Sequence, residues 1–251
     1  MELSEFQLTV LRKSSETRGY GGHAAISCRR HLERAWEIKD EMPEVAVFLA
    51  ITAEEEAATS LFHALKKRNY DNANRIKLRD HRFKAGVYPF LRLLGETLIP
   101  PKESLSLQLY FDSEFQPNGE EILRVKMPMF VKGEREYCLI PEPPLHIFSK
   151  DSAGENKDYL KEVRGVATEK GIESIYLYIK RLANERNKVL YASDSGIPNV
   201  VDASPALQRH TNAAMLNLTI YLLIEPHKRQ NLPQEALNAF IKVLDRIEEK
   251  C

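Results

Sequence analysis

VAVFLAITAEEEAATSLFHALKKR, residues 45–68, decides how the chain is read. Its apolar residues keep a helical period, and three consecutive carboxylates, Glu54, Glu55 and Glu56, interrupt them. Residues three and four apart share a helix face. Glu55 therefore falls in line with Phe48, Ile51, Ala58 and Phe62, and Glu54 with Val47, Ala50, Ala57 and Leu61. Glu56 falls beside Thr52, Thr59 and His63, on the polar side. At least one of Glu54 and Glu55 must then face other helices. A carboxylate there needs a cation or a hydrogen-bond donor opposite it, or a raised pKa.

The flanking sequence supplies the helices for such a bundle. A helix is expected from His23 to about Asp40, with Pro43 opening the next one. Residues 1–22 read as an N-terminal arm, in which FQLTVL suits a short strand or an extended segment and GYGG at 19–22 a break. On the other side, Asp71 or Asn72 is the expected cap of a helix running to Leu98. Ile76, Phe83, Val87, Phe90, Leu91 and Leu94 form its apolar stripe, and Pro89 predicts a kink or an early stop near Tyr88. Helical pattern returns at Lys157–Thr168, Ile172–Ala192, Ser204–Ile224 and Pro233–Lys250. Between these halves the texture changes. SLQLYF, ILRVKMPMFV and EYCLI are β-forming runs parted by PNG and KGE turns, about three strands too few to make their own core. The expected fold is mainly α: a helical bundle from 23–99 and 152–250, with a small antiparallel β insertion at 100–151.

Composition excludes several classes. The 251 residues carry 36 basic and 36 acidic side chains, so bulk charge gives no sign of nucleic-acid binding and any such surface must be local. Cys28, Cys138 and Cys251 are too far apart for a metal knuckle and form no disulfide framework, which fits a reducing compartment. The N-terminal residues lack the apolar stretch of a signal peptide, and the run from Val45 to Ala53 is too short for a bilayer. A cytoplasmic protein without a membrane partner is expected. There is no P-loop, HExxH, CxxC pair or nucleophile elbow, and neither metal nor cofactor is expected. The basic run from Lys66 to Lys84 reads more simply as a solvated face than as a nucleic-acid groove.

A second polar anomaly lies in residues 171–193, GIESIYLYIKRLANERNKVLYAS. Its apolar stripe runs through Ile175, Ile179, Leu182 and Ala183 into Arg186, with Asn187 and Tyr191 on the flank beside it. A third lies in DHRFK at 80–84, where His81, Lys84 and Tyr88 share a face. Convergence of Glu55, His81, Arg186, Asn187 and Tyr191 would make a polar site. The plain alternative is a buried Glu–Arg pair that only fixes the register of packing.

Three segments carry a family resemblance: Glu55-Glu56 followed by small residues, Asp80-His81-x-x-Lys84, and Arg186-Asn187-x-x-x-Tyr191. In that order they resemble the HEPN superfamily of helical domains, and within it the AbiV-type abortive infection proteins, over residues 23–98 and 152–250. The resemblance implies an HEPN-like bundle, often dimeric, whose members include metal-independent ribonucleases of toxin–antitoxin and antiphage systems. By resemblance Arg186 would stabilise charge on a scissile phosphate and Asn187 would orient it. The family's histidine would be the general acid or base, but Tyr191 stands in its place, and Thr59 stands where similar chains often have lysine. A tyrosine of ordinary pKa, near ~10, is a poor base at neutral pH although it can donate a proton. Either His81 substitutes from the neighbouring helix or the protein binds without cutting. The implied site is thus Arg186, Tyr191, His81 and Glu55 for catalysis, with Asn187, Lys84 and Glu56 contacting RNA. The implied function is an antiphage endoribonuclease, and the alternative is a non-catalytic protein that binds RNA or a protein to arrest growth. Implied partners are RNA, a phage or antitoxin protein, and a second copy of the chain.

Overall fold

The acidic triplet sits halfway along the central helix of a mainly helical bundle. A computed structural model describes residues 1, 3–98, 107–112, 121–131, 135–147, 149–150, 156–157, 168–192, 194 and 196–250. The helices are α1 (Glu5–Glu16), α2 (Tyr20–Ile38), α3 (Pro43–Lys67), α4 (His81–Leu98), α5 (Glu169–Leu190), α6 (Ser204–Ile224) and α7 (Asn231–Lys250). Helix α3 packs on α2, α4, α5 and α6, most closely on α2 and α6. Small side chains allow that approach: Ala46, Ala50, Ala53 and Ala57 on α3 and Ala25, Cys28 and Ala35 on α2 are wholly buried. At the far end of α3 the spaces are larger, and the rings of Phe62, Phe83 and Phe90 gather around Phe240 of α7.

The N-terminal segment is helical rather than a strand or an extended arm. Ser4 and Gln7 form a reciprocal cap, each side chain accepting from the other's backbone N–H at 3.2 and 3.0 Å. Val10, Leu11 and Ser14 are buried, so this local signal is reinforced by packing on α2 and α6. The glycines of GYGG do not all mark a break. Gly19, at φ +92°, precedes α2, whereas Gly21 and Gly22 lie inside it. A Cβ on Gly22 would stand 1.7 Å from the carbonyl oxygen of Thr17.

Helix α4 begins later than expected. Asn72 adopts φ +65° before a single 3-10 turn at Ala73–Arg75, and Asp80, which accepts from the Arg82 backbone N–H at 2.9 Å, starts the helix instead. Pro89 lies inside α4 and does not stop it.

The insertion holds an antiparallel sheet in the order β1 (Gln108–Asp112), β2 (Ile122–Val131), β3 (Arg135–Leu139). Tyr110 pairs with Arg124 and Met127 with Leu139. The sheet leans on α1 through Phe6–Phe111, with ring centroids 5.7 Å apart, and through Glu121 between Arg12 and Lys13. The chain beyond it is tied to the start of α7, where Asn231 accepts from the Ile147 N–H and donates to its carbonyl. Two further short strands, β4 (Ser149–Lys150) and β5 (Asn156–Lys157), pair with each other, so Lys157 is extended. The rest of the helix expected at 157–168 lies outside the described residues, apart from Thr168, which caps α5 by accepting from the Gly171 N–H. Among the described residues, no helix is long and apolar enough to cross a membrane.

Candidate functional site

Three successive residues of a helix point in directions about 100° apart, and the triplet uses all three. Glu54 faces α5 and α6, Glu55 faces α4, and Glu56 faces α2.

Glu54 is wholly buried, and so is its main partner, His210 of α6. His210 Nδ1 stands 2.6 Å from one Glu54 oxygen, and the Tyr178 hydroxyl of α5 donates to the other at 3.2 Å. On its far side His210 Nε2 faces Glu185 at 3.8 Å, and Glu185 also pairs with Arg209. Burial pulls the His210 pKa down, but hydrogen bonds and charge from Glu185 and Glu54 outweigh it and the net shift is upward. Burial and the adjacent Glu54 push the Tyr178 hydroxyl far above its ordinary pKa, so Tyr178 acts only as a donor. This charged chain crosses the core and ties three helices together. Its buried histidine cannot reach a substrate.

Glu55 makes a different pair. His81 Nδ1 lies 2.8 Å from both Glu55 oxygens, so its N–H donates to the carboxylate. Only 10% of the Glu55 side chain is exposed, against 55% of the His81 side chain. The carboxylate is therefore fixed in the wall while about half of the imidazole stays open to solvent. Beside the pair, burial pushes the Glu56 carboxyl pKa up, opposed by the charge of Lys84 and a hydrogen bond from Ser27. Ser27 belongs to a shallow hollow on α2 lined also by His23, Arg30, His31 and Arg34. What this arrangement can do is hold an imidazole in one tautomer, oriented by a carboxylate, with Lys84 one turn further along α4.

The late motif stands apart from this pair. The Arg186 guanidinium lies 5.9 Å over the ring of Phe48, two helical turns before Glu55 on α3, about 10 Å along the axis. No ion pair joins Arg186 to Glu55 among the described residues. Asn187 is exposed, and Tyr191 is 65% exposed at the end of α5, where its N–H caps the Asn187 carbonyl. Of the expected cluster, the structure joins Glu55 with His81 and brings Lys84 to Glu56; Arg186, Asn187 and Tyr191 lie elsewhere.

The sequence reading missed His210, Glu185 and Tyr178. One signal for His210 was present: it falls three residues after Leu207 and four before Ala214 on the apolar face of α6, an inward histidine matching an inward carboxylate. The basic run is largely spoken for. Lys67 and Arg68 engage Glu225, Arg75 engages Asp245, and Lys77 and Arg82 share Glu248. It serves mainly to dock α7 and the end of α6. Among the described residues, no group of three or more His, Cys, Asp and Glu side chains is placed to hold a metal ion.

Set beside known proteins, the chain matches no family profile, no curated protein and no solved structure.

Proposed function

We propose that the chain is an HEPN-like protein of the AbiV type that acts on RNA in antiphage defence, as an endoribonuclease needing no metal, with His81 as its proton carrier. The observation that supports this is the Glu55–His81 pair, a buried carboxylate clasping a half-exposed imidazole. In the reaction, the second ring nitrogen of His81 takes the proton of a ribose 2′-hydroxyl. The 2′ oxygen attacks the adjacent phosphorus, the bond to the 5′ oxygen breaks, and that oxygen takes a proton as it leaves, giving a cyclic phosphate end. Glu55 holds the Nδ1–H and stabilises the imidazolium, as a carboxylate does for a catalytic histidine. Lys84, and Arg30 and Arg34 from the hollow on α2, offset the charge of the phosphodiester. The chemistry requires the 2′-hydroxyl, so DNA of the same sequence stays intact. Purified protein incubated with total RNA and EDTA should cut it, and His81→Ala and Glu55→Gln should abolish cutting. Intact RNA, or equal cutting by His81→Ala, would falsify the reading.

A second reading, binding of RNA or a protein without cleavage, draws on the placement of Arg186 and Tyr191 away from the pair. On that reading a gel shift with RNA or a tagged phage or antitoxin protein is unchanged by His81→Ala, and no cyclic ends form. The proposed homodimer is read separately, from the mass in solution.

A further inference from the structure

The wider spaces at the far end of α3 leave a cavity of about 420 Å³. Side chains of α3, α4, α6 and α7 surround it, and Met127 of β2 with Leu145 and Ile147 closes one side. It runs into the core rather than lying on a face, because much of its wall is itself buried: Phe62 is 1% exposed, Phe90 3% and Phe240 4%. Its mouth is marked by Gly95 and Leu107, which stand exposed. A Cβ on Gly95 would meet nothing within 4 Å.

The described lining is aliphatic or aromatic except for Gly95 and Pro233, and it carries no hydrogen-bonding side chain. Among the described residues, none of the buried polar side-chain atoms that lack a partner belongs to it. An ordered water needs two to four polar partners, which this wall does not offer. A charged or hydrogen-bonding group would give up its hydration here without return. A hydrocarbon gives up none and gains contact on every side. Volume then selects the length. A cavity of ~150 Å³ takes benzene, so one of this size takes roughly sixteen carbons on the same measure. We propose that the cavity binds a single-chain amphiphile of about fourteen to eighteen carbons, its tail running inward from Gly95 and Leu107 to the rings of Phe62, Phe90 and Phe240. The polar head stays in solvent, and because the described lining supplies no cation for it, affinity rests on the tail. The tail belongs either to a free fatty acid or to a lipid surface from which one acyl chain is drawn. Such a site stands apart from any action on RNA.

The test is calorimetry on the full chain with octanoate, decanoate, dodecanoate and tetradecanoate, each below its micelle concentration. Binding should saturate at a single site and tighten with length, by up to about fourfold per methylene, the value for full burial of a CH₂. Gly95→Trp sets an indole in the mouth and should weaken tetradecanoate at least about tenfold without lowering Tm. Gly95→Ala is too small to block the mouth and should bind as the wild type does. Sedimentation with phosphatidylcholine vesicles, lost in Gly95→Trp, assigns the tail to a lipid surface; tetradecanoate binding without sedimentation assigns it to the free acid. No binding of tetradecanoate by the wild type, an affinity that ignores chain length, or equal binding by folded Gly95→Trp overturns the proposal. So does a dimer in solution that Gly95→Trp splits and that takes no tetradecanoate, since the cavity is then an interface between copies.

Discussion

Glu54→Ala should unfold the protein far more readily than any change at the neighbouring Glu55–His81 pair. Both Glu54 and His210 are wholly buried, so the substitution leaves an imidazolium that keeps only its longer contact with Glu185, and it strips the acceptor from the Tyr178 hydroxyl. Removing one partner of a buried charge pair costs about 3–5 kcal/mol. For a chain of this length that is a fall in Tm of roughly 6–20 °C. The penalty must also depend on pH, and its sign follows from His210. Its pKa is raised in the folded protein, the hydrogen bonds and charges of Glu185 and Glu54 prevailing over burial. The stability it contributes is therefore fully present below the unfolded value of about 6.5 and is lost as pH rises through the raised folded value. Urea unfolding at about pH 6 and about pH 9 checks this: the gap between wild type and Glu54→Ala should be widest at the lower pH. A penalty under about 1 kcal/mol, or one that grows with pH, would show that the chain from Glu54 to Arg209 does not hold the bundle together.

Further substitutions separate structure from chemistry. His81→Ala leaves the nearly buried Glu55 carboxylate without its donor and should cost about 1–3 kcal/mol in urea unfolding, less than Glu54→Ala, while ending the proposed RNA cleavage; a loss as large as that of Glu54→Ala would reduce the pair to a packing device. Gly22→Ala sets a methyl group 1.7 Å from the Thr17 carbonyl, so α1 must shift and stability should fall by about 3 kcal/mol or more; an unchanged denaturation midpoint would disprove the tight α1–α2 turn. Tyr191→Ala, at an exposed helix end, should change stability by less than about 0.5 kcal/mol and leave cleavage intact; lost cleavage would return Tyr191 to the site. Burial pushes the Cys28 thiol pKa far up, so a thiol reagent should modify exposed Cys138 in the native protein and reach Cys28 only after denaturation.

Much of the bundle was legible because periodicity and punctuation agree. Pro43 opens α3, and residues 204–224 give α6 at its observed bounds. Local rules failed where two signals competed. FQLTVL has strand-forming residues, yet the Ser4–Gln7 cap and the docking of Val10 and Leu11 make it a helix. Gly21 and Gly22 looked like a break, but their role is the absence of a side chain where Tyr221 and the Thr17 carbonyl press on α2, a tertiary fact no local pattern carries. The site was half legible for a similar reason. An inward carboxylate announces that it needs a partner, and the pairing of Glu55 with His81 follows from two matching faces. Whether an inward arginine supplies the partner depends on the axial offset between helices, and that offset sets Arg186 over Phe48.

The same offset explains why three adjacent carboxylates differ in what they can do. One turn of α3 delivers Glu54 to the core, Glu55 to a helix that ends at the surface, and Glu56 to the seam with α2. At Glu54 the partner comes from a helix packed along its length on α3, and the resulting pair is closed to solvent. At Glu55 the partner is the first residue of α4, where the chain has just turned in from the surface. A first-turn residue leaves one side of its ring uncovered because no preceding helical turn lies over it. His81 therefore combines a rigid carboxylate behind it with an open face before it, which is what the proposed removal of a proton from a 2′-hydroxyl would require. Moving that histidine one turn deeper into α4, through His81→Ala combined with Ala85→His, should carry the imidazole into a buried position and end any activity. Retained cleavage in that double variant would show that the position of the ring, and with it this division of labour along α3, is irrelevant to what the protein does.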